Sequence, residues 1–70
     1  MNTVSHIPTG EVLFEFHHAT FFARGELLFF NEEGAVVGMH DLQSGEICFG
    51  EKLCQTVRNR DVIIKFKEKE

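Results

Sequence analysis

Apolar and polar residues alternate along most of this chain with the period of two that belongs to β-strands. From Glu11 to Phe16 the order is Glu-Val-Leu-Phe-Glu-Phe, which puts Val12, Phe14 and Phe16 on one face and Glu11, Leu13 and Glu15 on the other. Residues 20–30 read Thr-Phe-Phe-Ala-Arg-Gly-Glu-Leu-Leu-Phe-Phe; taken as one strand, they set Phe21, Ala23, Gly25, Leu27 and Phe29 on a core face. Gly25 in its middle predicts a bulge or sharp bend. The reverse face carries Phe22, Leu28 and Phe30 around Arg24 and Glu26, more apolar surface than a sheet with one side in water holds. Something must cover it: the rest of a closed barrel, a second copy of the chain, or a ligand.

Elsewhere the punctuation is mostly clear. Residues 1–9 lack periodicity and lead into Pro8-Thr9-Gly10, so they read as an arm or short edge segment. His17-His18-Ala19 is a short connection. Asn31-Glu32-Glu33-Gly34 predicts a hairpin between Leu27–Phe30 and Ala35–Met39. Asp41 to Gly45 is the next turn, and Glu46 to Phe49 a short strand with Ile47 and Phe49 on one side and Cys48 on the other. Residues 51–58 fit a strand or one short helical turn, the strand being preferred. Arg58-Asn59-Arg60-Asp61 turns the chain into a last strand with Val62, Ile64 and Phe66 inward and Lys65 and Lys67 outward, and residues 68–70 form a frayed tail. The expected architecture is a single all-β domain over residues 1–70: a small, strongly bent β-barrel or two-layer sheet of six to seven short antiparallel strands.

Size sharpens the question of what covers the second Phe face. A chain of 70 residues buries only about 60% of its unfolded surface, so its stability is marginal without disulfides, metal or oligomerisation. With two cysteines, and an opening Met1-Asn2-Thr3-Val4-Ser5-His6 that has no basic-then-apolar character, a secreted disulfide scaffold is not expected. The expectation is a reducing, cytoplasmic setting. No apolar run approaches the roughly 18 residues that cross a bilayer, so no membrane role is expected. All eight aromatic residues are Phe, with no Trp or Tyr. Lacking a hydrogen-bonding tip, Phe belongs in dry surroundings, in a core or an obligate interface between copies.

The net charge of −4 is unevenly spread: residues 1–50 carry one base and seven acids (−6), residues 51–70 six bases and four acids (+2). Solvated strand ends account for this simply; head-to-tail contacts between subunits or a local basic patch for an anionic ligand are also compatible with it.

Reactive chemistry is sparse. His17, His18, His40, Asp41, Cys48 and Cys54 are of ligand type, but their spacings match no zinc pattern. A hairpin through residues 49–53 would set Cys48 and Cys54 opposite each other, although a disulfide needs Cα atoms within about 7 Å; in a reducing setting two small buried thiols are expected instead. Only Lys52 lies near Cys54 to favour a thiolate. The glutamates fall in turns, on outward strand faces and in the tail, and there is no phosphate loop, nucleophile elbow or metalloprotease motif. No catalytic residue, metal or cofactor is therefore expected.

The resulting expectation is a non-catalytic binding or assembly module that forms homo-oligomers through Phe22, Leu28 and Phe30, with Leu13 flanking, a different protein partner being the other occupant of that face. The alternative is an RNA or single-stranded DNA binder with a basic patch of Arg24, Lys52, Arg58, Arg60, Lys65 and Lys67, beside Phe22 and Phe30 as stacking platforms. The acidic total charge disfavours nucleic acid. A third reading is a metal- or thiol-dependent site shared between subunits.

Overall fold

The computed structural model describes residues 2–22 and 25–67. Among these, eight strands follow one another: β1 (Asn2–His6), β2 (Val12–Phe16), β3 (His18–Phe22), β4 (Glu26–Phe30), β5 (Val36–Asp41), β6 (Glu46–Phe49), β7 (Gln55–Arg58) and β8 (Val62–Lys65). All pairings are antiparallel, in a three-stranded sheet ordered β2-β1-β8 and a five-stranded sheet ordered β3-β4-β5-β6-β7. The protein is all-β, and of the two architectures expected it adopts the two-layer sheet; among the described residues the strands do not close into a barrel. Its thinnest dimension, 21 Å, suits two layers about 10 Å apart with a coat of side chains outside each.

The layers meet through aromatic rings. Phe16 of β2 and Phe29 of β4 are fully buried, 4.8 Å apart and edge to face. Phe14 adds a ring 5.4 Å from Phe29 and a stacked contact at 5.6 Å with Phe49. Val4 completes the centre, with Ala19, Leu27, Val37, Val62 and Ile64 packed around it. Each fully buried side chain of this size contributes about 1.5–3 kcal/mol relative to exposure.

Four features differ from the expectation. Residues 2–6 are no arm: β1 is the central strand of the smaller sheet, paired with β2 and β8. Its single inward apolar residue, Val4, is too little alternation to be read as a strand, yet that residue is wholly buried. Asn2 ties the end of this sheet together, its Nδ2 donating to the His17 carbonyl at 3.0 Å and its Oδ1 accepting from the Lys67 amide at 2.7 Å. Thr20–Phe22 and Glu26–Phe30 are the two arms of a hairpin rather than one bent strand: Phe22 pairs with Glu26, and the Gly25 amide donates to the Phe22 carbonyl at 3.1 Å. β3 begins at His18, so the expected 17–19 connection shrinks to His17, and Ala23, expected on the core face, lies outside the described residues. Gly25 has φ +77°, where a side chain is disfavoured, so it makes the turn and not a bulge. The count is accordingly eight strands, not six to seven.

The fourth difference concerns the assigned core. Phe21, Val12 and Phe66 are 71%, 52% and 65% exposed. Phe21 lies near the end of an edge strand. Val12 lies beyond a register shift at Val4/Ser5. Phe66 follows the last strand and touches the core only edge-on, 5.7 Å from Phe16. Residues 51–58 satisfy both readings, a single 3₁₀ turn over Glu51–Leu53 followed by β7, and Arg58–Asp61 turns as expected through a 3₁₀ turn at Asn59–Asp61. The 31–34 hairpin also stands: the Asn31 Oδ1 accepts from the Glu33 and Ala35 amides, both at 2.9 Å. Residues 68–70, expected as a tail, lie outside the described residues.

Candidate interaction surface

Strand pairing sets the outer face of the five-stranded sheet. Phe29 and Ile47 are fully buried on its inner side, so the alternate residues point outward. Three cross-strand rows result: His18–Phe30–Val36, Thr20–Leu28–Met39–Cys48–Thr56, and Phe22–Glu26–Asp41–Glu46–Arg58. The first two rows are mainly apolar, and the His18 ring stacks on Phe30 at 4.9 Å and 15°. The third ends in charge. Phe22 is 48% and Val36 43% exposed, and Leu28, Phe30 and Met39 are half-buried.

Phe22, Leu28 and Phe30 are thus brought together on one face. Leu13 is not: it belongs to β2 in the other sheet. The basic residues do not gather either. Arg58 projects from the outer face of the larger sheet opposite Glu46. Lys65 sits in a row with Glu15 and Thr3 on the outer face of the smaller sheet. Lys52 is in the 3₁₀ turn that precedes β7 and Arg60 in the one that follows it; Lys67 lies just past β8, all exposed. Arg24 lies outside the described residues.

The residues of reactive type are also dispersed. Cys48 faces Thr56 rather than Cys54, with Sγ and Oγ1 4.0 Å apart. Both thiols are free, and Cys54 is exposed rather than buried. The hairpin's true partners, Phe49 with Gln55 and Cys48 with Thr56, leave Cys54 in the connection. Among the described residues no three His, Cys, Asp or Glu side chains are grouped as a metal site requires, and no helix is long and apolar enough to cross a membrane.

One of the ligand-type residues, His40, stands on the inner side of the larger sheet, a position its sequence neighbourhood does not indicate. His40 lies opposite Ile47 and Leu27, its Nε2 3.2 Å from the Asn59 amide nitrogen, while its buried Nδ1 has no partner. Burial holds its pKa below the ordinary 6.5, against the opposing charge of Asp41. The Asp41 carboxylate is itself held below its usual range by hydrogen bonds from the Ser44 and Gln43 amides, which cap the β5–β6 turn. Nothing in local periodicity marks His40, because its environment comes from strands β4 and β6 and the distant Asn59.

Compared with protein-family models, curated proteins and solved structures, the chain matches none.

Proposed function

We propose that this protein is a non-catalytic binding and assembly module that acts as a homo-oligomer, copies meeting on the outer apolar face of the five-stranded sheet. The observation that carries this reading is the gathering of Phe22, Leu28 and Phe30 with Val36 and Met39 on a face whose opposite side already holds the domain's own core. Contiguous apolar patches of this kind mark interaction sites. A standard interface takes about 800 Å² from each partner, within reach of a molecule with 5049 Å² of accessible surface. An aromatic complement made only of Phe favours a dry, permanent partner, and a second copy supplies a matching face. The two free thiols fit a reducing, cytoplasmic location.

A nucleic-acid role has less support, because Arg58 and Lys65 project from opposite faces of the sandwich and Arg58 stands beside Glu46. A thiol- or metal-dependent role has less still, with Cys48 and Cys54 apart.

Light scattering behind a sizing column tests the proposal. The parent runs as an oligomer, and Phe30→Glu, folded by circular dichroism, runs as a monomer or smaller species. A monomeric parent, or a folded Phe30→Glu protein of unchanged mass, refutes it.

A further inference from the structure

The three-stranded sheet ends in two open edges of unlike character. Its outer face carries two cross-strand rows, Glu15–Thr3–Lys65 and Val12–Ser5–Ile63, since the intervening Val4 points into the core. The β2 edge therefore presents Glu15 and a 52% exposed Val12, and the β8 edge presents Lys65 and a 45% exposed Ile63. Glu11 just before β2 and Lys67 just after β8 carry the same signs but lie at opposite ends of such a join, and Asp61 precedes β8, so the complementarity rests on Glu15 and Lys65. Charged residues on an edge ordinarily discourage pairing between copies. Here they do so only for like edges. Two β2 edges would bring carboxylates together, and two β8 edges would bring ammonium groups together, whereas β8 against β2 brings Lys65 to Glu15 and Ile63 to Val12.

We propose that copies of this chain join head to tail through this sheet, β8 of one copy lying alongside β2 of the next. The inference rests on the homo-oligomer reading above and names a second contact for it. Both β2 and β8 run antiparallel to β1, so the join is a parallel pairing, with slanted hydrogen bonds between edges that have no strand partner within their own sheet. The rows that cross one copy run into the equivalent rows of its neighbour, and the join takes up the irregularity that β2 already carries against β1, since three positions separate Val12 from Glu15 and two separate Ile63 from Lys65. Such a contact is heterologous, so it closes into a ring or grows into a filament according to the angle between copies.

Charge exchange provides the test. Glu15→Lys and Lys65→Glu each place like charges at every join and weaken self-association, read by sedimentation or light scattering against concentration, about three- to tenfold. An equimolar mixture of the two variants regains parental association, because each variant's altered edge then faces the complementary edge of the other. The double variant Glu15→Lys with Lys65→Glu regains it alone. Both side chains are exposed, and circular dichroism confirms that each variant is folded. Single variants that associate as tightly as the parent, or a mixture no tighter than its components, overturn the head-to-tail join. If Phe30→Glu still lowers the mass in that case, the homo-oligomer reading survives and only the join is lost; a monomeric parent overturns both.

Discussion

Gly38 of β5 lies directly beneath the Phe14 ring, and replacing it with alanine tests how the two layers lock. A Cβ at this position would lie 2.7 Å from Phe14 Cζ, 2.8 Å from Cε2 and 3.3 Å from Phe29 Cδ2. Carbon atoms in favourable contact sit about 3.5–4.0 Å apart, so roughly an ångström must be found. Phe14 has little room to retreat, held at 5.4 Å by Phe29, 5.6 Å by Phe49 and 6.4 Å by Phe16. Overpacking of this sort costs about 1–3 kcal/mol. Alanine recovers about 0.5–1 kcal/mol through the backbone entropy that glycine loses in a strand. The clash is the larger effect, and Gly38→Ala is expected to destabilise the domain by about 1–2 kcal/mol, lowering Tm by about 4–16 °C for a chain of this length. Thermal melts followed by circular dichroism measure it. In the double variant Gly38→Ala with Phe14→Leu, the shorter side chain relieves the clash, so the combined loss falls short of the sum of the single losses. A Tm for Gly38→Ala at or above the parent's, or strictly additive losses, would refute the placement of Phe14 over β5.

Two further expectations concern polar contacts. Because the folded His40 pKa is lowered, the unfolded chain takes up this proton first on acidification: the contribution is complete above the ordinary 6.5 and declines as pH falls below it. Urea midpoints at pH 7.5 and pH 5.5 should therefore differ more in the parent than in His40→Gln, and equal differences would remove His40 from the acid response. In the 31–34 turn, Asn31→Ala deletes the acceptor of two amides and should cost about 1 kcal/mol. Asn31→Asp keeps the acceptor, so indistinguishable urea midpoints for the two variants would show that the side chain does not hold the turn.

The alternation of residues carries the face assignment even where one expected strand is two. Thr20–Phe22 and Glu26–Phe30 are separate strands, yet Phe22 pairs with Glu26, Phe21 with Leu27 and Thr20 with Leu28. Every pair joins two odd or two even positions, so turning one strand into two leaves each paired side chain on the face its parity assigned. That is why Phe22, Leu28 and Phe30 share a surface in the fold as they do in the chain. The turns at Asn31–Gly34 and Asp41–Gly45 were legible for a similar reason, since Asn31 and Asp41 hydrogen-bond to amides two to four residues away.

What alternation cannot convey is which strand lies next to which, and how far one layer covers the other. The tertiary structure alone placed β1 at the centre of a sheet on the strength of one buried valine, left Phe21 in the open at the end of an edge strand, and put Leu13 on a different layer from Phe30. It also set Arg58 and Lys65 on opposite faces, scattering a basic segment that is continuous in sequence, and gave the smaller sheet one acidic and one basic edge. The period of two follows from local backbone geometry and belongs to each strand by itself. Burial, edge position and the company a charge keeps are set by pairings between residues far apart in the chain, which no single strand contains.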